Sequence, residues 1–200
     1  GPFKHGVASG DPDQTSLVVW TAVTGPADGL TLEVSDDPDF TAPRNVALAA
    51  AGEPVDDVTP FKAFLSGLTP GAPVWYRFRL GEQLSPAGRA AALPEGAVES
   101  FRIAAFSCSN YPAGFFNAYR DAAENAAPDL VVHLGDYLYE YARDGYASED
   151  AARLAREVEP PHELLTYADY ARRHAQYSAD PDLQALKAAA PWILVWDDHE

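Results

Sequence analysis

The sequence predicts a β-sandwich followed by part of an α/β domain built on a parallel sheet. Three observations carry that reading. Eleven of the 17 prolines lie in residues 1–100, where they separate short runs of alternating apolar and polar residues. From residue 101 onward, apolar strands alternate with helical patterns, the signature of parallel β-α-β units. Nine of the ten tyrosines and four of the five histidines also lie in residues 101–200, so the reactive groups are concentrated in the second half. Pro and Gly cluster at Leu93-Pro94-Glu95-Gly96. That puts the boundary there, with a sandwich domain over residues 1–95 and the α/β part over residues 96–200.

The elements follow in order. Ser16–Val23 is β-branched and apolar, and Leu30, Leu32 and Val34 alternate with polar neighbours until Asp36-Asp37-Pro38 breaks the run. Val46–Ala50 and Phe61–Leu65 are further strands, and Val74, Tyr76, Phe78 and Leu80 alternate with Trp75, Arg77 and Arg79. Phe101–Ser107 reads as the first strand of the α/β half, and Gly114–Ala126 as a helix closed by Pro128. Leu130–Leu134 is the second strand. Ser148 is placed to cap a helix running to about Glu157. Thr166-Tyr167-Ala168-Asp169 has the form of a capping box, and Asp180-Pro181 that of an N-cap followed by proline at the first helical position. Trp192–Trp196 is the third strand.

Composition narrows the function. The 200 residues include 14 basic and 30 acidic side chains, a net charge of −16, with 47% hydrophobic and 12% aromatic content. This is a globular composition. The acidity and the lack of a basic footprint argue against a nucleic-acid-binding surface or an anionic membrane partner. No apolar run approaches the roughly 18–20 residues of a membrane span, and no signal segment is legible in this stretch. A single cysteine excludes an internal disulfide framework and a Cys-only zinc cluster. The chain opens on Gly1-Pro2 and ends on Glu200 in what reads as a loop, so the expectation is the N-terminal portion of a longer protein. Oligomeric state is left open.

The three α/β strands share a feature. Ser107-Cys108-Ser109-Asn110 follows the first, Gly135-Asp136-Tyr137-Leu138-Tyr139 the second, and Asp197-Asp198-His199-Glu200 the third. The carboxyl ends of parallel strands form one edge, where ligands bind. Cys108, Asp136, Tyr139, Asp198 and His199 therefore converge. Each has a plainer reading: a lone cysteine is usually a small buried hydrophobe, a strand-end Asp often caps the next helix, and the tyrosines can cover apolar surface. Together at one edge they read as metal ligands. A phenolate and a thiolate favour a hard, highly charged ion such as Fe³⁺, and surplus carboxylates suit Ca²⁺. Several cations at a sheet edge suit phosphate-ester hydrolysis and reverse the repulsion that a net charge of −16 imposes on phosphate.

At these residues the sequence resembles the alkaline phosphatase D (PhoD-like) family, and the resemblance covers the whole chain. Gly6-Val7-Ala8-Ser9-Gly10-Asp11-Pro12 is similar to the family's entry motif, and His133-Leu134-Gly135-Asp136-Tyr137-Leu138-Tyr139-Glu140-Tyr141 is the most specific match. The stretch Phe101 to Asn110 and the run from Tyr167 to Trp196-Asp197-Asp198-His199-Glu200 also resemble it. The resemblance implies a fibronectin III-like sandwich followed by a calcineurin-like metallophosphoesterase domain. It implies an exported enzyme that hydrolyses phosphomonoesters and phosphodiesters with Fe³⁺ and Ca²⁺. Carried over by position, Cys108, Asp136 and Tyr139 match the family's iron-side ligands, and Asp198 stands where the wider superfamily places a metal-binding Asn, with the choice between Asp197 and Asp198 open. His199 matches the histidine that contacts the substrate phosphate. Asn110 is a candidate substrate contact, and His133 is expected to pack or orient a loop. The family's remaining ligands lie beyond Glu200, so the chain alone is expected to be inactive. Two rivals stand beside this reading: a purple-acid-phosphatase-like enzyme, and an extracellular binding module whose α/β half is structural.

Overall fold

The N-terminal strand joins the two halves of the molecule. In the computed structural model, which describes residues 1–200, β1 (Val7–Gly10) pairs antiparallel with β2 (Leu17–Thr24) on one side. On its other side it pairs parallel with β12 (Trp192–Leu194), Gly10 opposite Trp192. The Asp11 N–H then donates to the Trp192 carbonyl at 3.0 Å. The motif Gly-Val-Ala-Ser-Gly-Asp-Pro is therefore the strand on which the parallel and antiparallel parts of one sheet meet.

That sheet has seven strands. Its parallel part is β10 (Ile103–Phe106), β11 (Leu130–His133) and β12; β1, β2, β6 (Val58–Leu65) and β5 (Ala49–Ala50) continue it. The second sheet holds β4 (Arg44–Val46), β3 (Thr31–Ser35), β7 (Pro73–Leu80) and β8 (Gln83–Leu84), with β9 (Gly88–Ala91) also pairing β7. Val7, Leu17, Val19, Leu32, Val34, Leu65, Tyr76 and Phe78 form the core of the first half, each at most 1% exposed. Period-two alternation in β3 and β7 places these residues inward, while Arg77 and Arg79 bind Glu33 at 2.6 Å along the outer face.

The second core lies under the helices. It gathers Phe116, Tyr119, Val131, Tyr137, Leu138, Tyr177, Leu183, Leu186 and Trp192. The helices are α1 (Asn117–Asp121), α2 (Ala151–Leu154), α3 (Tyr167–Ser178) and α4 (Pro181–Ala189). Thr166 and Asp169 close a reciprocal capping box on α3, and Asp180 caps α4 through the N–H groups of Asp182 and Leu183. The opposite face of the parallel strands exposes Ile103, Leu134, Ile193 and Val195.

Several elements differ from the sequence expectation. Val46–Ala50 is not one strand: β4 and β5 belong to different sheets, and the chain crosses between them. The helix expected over Gly114–Ala126 begins as a 3₁₀ turn at Tyr111–Ala113, is broken by extended Gly114, and becomes π-helical over Ala122–Ala126. It ends because Ala127, placed before Pro128, is excluded from the right-handed helical region and turns left-handed. The helix expected from Ser148 to Glu157 shrinks to four residues. Ser148 donates to the Gly145 carbonyl instead of capping it. Arg156 leaves the helix for a buried stack on Tyr111, 3.7 Å above the ring, and an ion pair with Asp180 at 2.7 Å. The strand expected over Trp192–Trp196 stops at Leu194. Strands β1, β8 and β9 lie outside the runs the sequence pattern marks as strands.

Candidate metal centre

The carboxyl ends of β10, β11 and β12 lie side by side because all three run parallel. The loops that leave them are tied by backbone bonds. The Cys108 N–H donates to the Gly135 carbonyl at 3.2 Å and the Ser109 N–H to the Asp136 carbonyl at 2.8 Å. Cys108 (φ 61°) and Asp136 (φ 53°) are both left-handed, a conformation that costs a non-glycine residue about 1 kcal/mol. Gly135 (φ 106°) precedes Asp136 where a Cβ would stand 2.5 Å from Asp197 Cβ, so only glycine lets the second and third loops touch.

These turns bring the side chains together. The Cys108 thiol lies 3.5 Å from Asp136 Oδ2, and the Tyr139 hydroxyl donates to the same oxygen at 3.3 Å. Ligand atoms of Asp136, Asp198 and His199 all lie within 4.8 Å of one another. Asp198, not Asp197, joins that group. His199 Nδ1 pairs with Glu140 Oε2 at 2.9 Å, and its ring packs on Tyr139 (centroids 4.4 Å apart) and Tyr141 (5.3 Å). Glu200 clamps the last loop: its carboxylate accepts from the Tyr137 N–H at 2.5 Å and the Asp197 N–H at 2.9 Å. Beneath Cys108, the Ser109 hydroxyl meets His133 Nε2 at 2.9 Å and the Tyr119 hydroxyl. His133 therefore sits under the first loop, as a packing and orienting residue would. Asn110 bonds the Tyr146 carbonyl at 3.0 Å.

The electrostatics fit a cation. Asp136 Oδ1 is buried and has no hydrogen-bond partner, an arrangement that is costly unless something positive meets it. Burial first, then Cys108 and Asp136, hold the Tyr139 phenol well above its ordinary pKa in the protein alone. A cation would reverse that balance and favour phenolate. Burial tends to lower the His199 pKa, but the hydrogen bond and charge of Glu140 outweigh it, so the net direction is upward. Burial drives His133 down to about 4, which leaves it neutral. The donor set of one thiol, two carboxylates, one phenol and one imidazole suits a metal.

Glu140 and Glu200 are the contributors the sequence did not mark with a role. Their contacts join residues 59 and 63 positions apart, so no local pattern announces them. A cavity of about 1170 Å³ lies beside the centre, lined among others by Trp20, Tyr137, Tyr170, His174, Lys187 and Glu200; none of the five clustered residues lines it.

Two family models match the chain. The PhoD-like phosphatase N-terminal domain matches residues 1–94, and the PhoD-like phosphatase domain residues 103–200. Alkaline phosphatase D of Bacillus subtilis is 38% identical over an alignment that takes in all of this chain and 35% of the relative. A solved structure of PhoD superposes with a TM-score of 0.83 at 35% identity, over 99% of this chain and 39% of that one. A purple acid phosphatase from yellow lupin (Lupinus luteus) seeds superposes with a TM-score of 0.56 at 14% identity, over 96% of this chain and 34% of that one, which shows a shared fold. The chain thus spans little more than a third of the relatives it matches. With both family models laid end to end along its length, the chain belongs to the PhoD-like phosphatase family.

Proposed function

We propose that this chain supplies one side of a metal-dependent phosphoester hydrolase acting on phosphomonoesters and phosphodiesters. The observation that carries the reading is the convergence of Asp136, Asp198 and His199, with one oxygen of the Asp136 carboxylate buried and unpartnered. Cys108, Asp136, Tyr139 and Asp198 would hold the metal ions. The thiolate and phenolate suit Fe³⁺, and the remaining oxygen ligands suit Ca²⁺. When bound, the cations supply Lewis-acid stabilisation of the phosphoryl oxygens and a water of lowered pKa.

The protein's own groups do the rest. Asp136 stands between the Cys108 and Tyr139 side and the Asp198 and His199 side, so it is the residue both sides share. Glu140 holds His199 Nδ1, which leaves Nε2 for a phosphoryl or leaving-group oxygen. The Glu200 clamp on Tyr137 and Asp197 keeps the His199 loop against the Asp136 loop. With the chain covering 35% of alkaline phosphatase D, the rest of the centre is assigned to polypeptide outside these residues, and the 200-residue chain alone is inactive in this reading. Export belongs to the same reading and rests on family membership. No helix is long and apolar enough to cross a membrane.

The test is metal content together with turnover. Full-length protein is expected to bind metal and hydrolyse an aryl phosphate, and Asp136→Asn to lose both. Retained metal and turnover in Asp136→Asn would sink the site as drawn.

A further inference from the structure

A row of rings extends from the centre toward solvent. Tyr139 and Tyr141 lie 6.4 Å apart with planes 23° apart, and Tyr141 lies 5.3 Å from the His199 ring. Tyr146 follows, 6.4 Å from Tyr141. Tyr141 is half-buried, whereas Tyr146 is 66% exposed. Tyr146 belongs to neither hydrophobic core, so core packing does not account for it.

The loop that carries Tyr146 is nevertheless built to hold one position. Asn110, two residues beyond Cys108, donates to the Tyr146 carbonyl at 3.0 Å and ties the loop to the metal side. The Gly145 N–H donates to the Ala142 carbonyl at 2.9 Å, and the Ser148 hydroxyl to the Gly145 carbonyl at 2.7 Å. Gly145 packs so closely that a Cβ there would stand 2.5 Å from Tyr141 Cβ. The Arg143 N–H donates to the Pro161 carbonyl at 3.1 Å, and its guanidinium to the Val158 carbonyl at 3.0 Å. A loop fixed at both ends thus presents an exposed aromatic face one ring away from His199. Such faces bind flat partners by stacking and by shedding water.

Resting on the phosphoester reading above, we infer that Tyr141 and Tyr146 form an aromatic wall that receives a planar leaving group. The site then favours phosphate esters of aromatic or heteroaromatic alcohols over those of aliphatic alcohols. The wall touches the leaving group and sets specificity, while the phosphoryl group lies with Asp136, Asp198 and His199.

The experiment compares two non-hydrolysable probes, phenylphosphonate and methylphosphonate, by titration calorimetry on the metal-loaded full-length protein. At a pH where both phosphonates are fully ionised they carry the same charged head, so their difference there reports the ring. The wall predicts a phenylphosphonate preference of roughly 2- to 10-fold. Tyr146→Ala is expected to reduce that preference toward unity with methylphosphonate affinity unchanged, and Tyr146→Phe to keep it. Equal affinity for the two probes in the unmodified protein, or an undiminished preference in Tyr146→Ala, overturns the wall while leaving the hydrolase reading intact. Failure of both probes to bind, with no ester hydrolysed, overturns the hydrolase reading and the wall with it.

Discussion

Replacing Arg156 by methionine tests how the second half holds its shape. Arg156 is 5% exposed, its guanidinium lies 3.7 Å above Tyr111, and it pairs with Asp180 at 2.7 Å. Its Nε also donates to the Tyr111 carbonyl at 2.8 Å. Methionine keeps most of the apolar stem but leaves the buried Asp180 carboxylate without its cation. Breaking a buried pair in this way costs about 3–5 kcal/mol. Asp180 keeps two backbone donors, the Asp182 and Leu183 N–H groups, which soften the loss, so about 3 kcal/mol is expected. For a chain of this length that lowers Tm by roughly 6–12 °C. Urea unfolding followed by circular dichroism measures the free energy, and a thermal scan the midpoint. Arg156→Met with Asp180→Asn should recover part of the loss, because the stranded charge is gone. A loss below about 1 kcal/mol for the single variant, or no recovery in the double, would refute the assignment of a buried ion pair as the anchor.

Three further outcomes are expected. Burial lowers the Lys187 pKa from 10.5 to about 8, so below pH 8 the folded state carries the full cost of a desolvated ammonium, and that cost fades as pH rises toward 10.5. Lys187→Met should therefore stabilise the chain at pH 7 by at most about 3 kcal/mol, with no advantage above about pH 10.5, as read from denaturant midpoints across pH. A phenolate or thiolate on Fe³⁺ absorbs visible light, so Tyr139→Phe and Cys108→Ser should each weaken the colour of the iron-loaded protein; an unchanged spectrum in both removes them as ligands. Glu140→Gln leaves His199 Nδ1 with a neutral partner and should lower kcat about 10- to 100-fold with little change in metal content, which turnover and metal analysis together decide.

Much of the fold was legible because local rules govern it. Alternation in β3 and β7, the capping box at Thr166 and Asp169, and Asp180-Pro181 at the head of α4 each depend on neighbours within a few residues. The shortened α2 was not legible, because what unwinds it is Arg156 reaching Tyr111 and Asp180, 45 and 24 positions away. The split of Val46–Ala50 between two sheets likewise answers to partners outside the local window, β3 on one side and β6 on the other.

The same division runs through the candidate centre. Sequence alone determined that Cys108, Asp136, Tyr139, Asp198 and His199 follow three parallel strands, and parallel strands present their carboxyl ends on one edge. Tertiary structure decided the rest. It turned Cys108 and Asp136 left-handed, set Asp198 beside Asp136 while Asp197 packs on Gly135, and recruited Glu140 and Glu200 from across the loops. It also made β1 the seam between the antiparallel and parallel parts of one sheet, where composition marked two separate halves. The physical reason is common to all of these. Periodicity and caps are energies between near neighbours, whereas side-chain direction at a strand end is set by whichever distant loop packs against it.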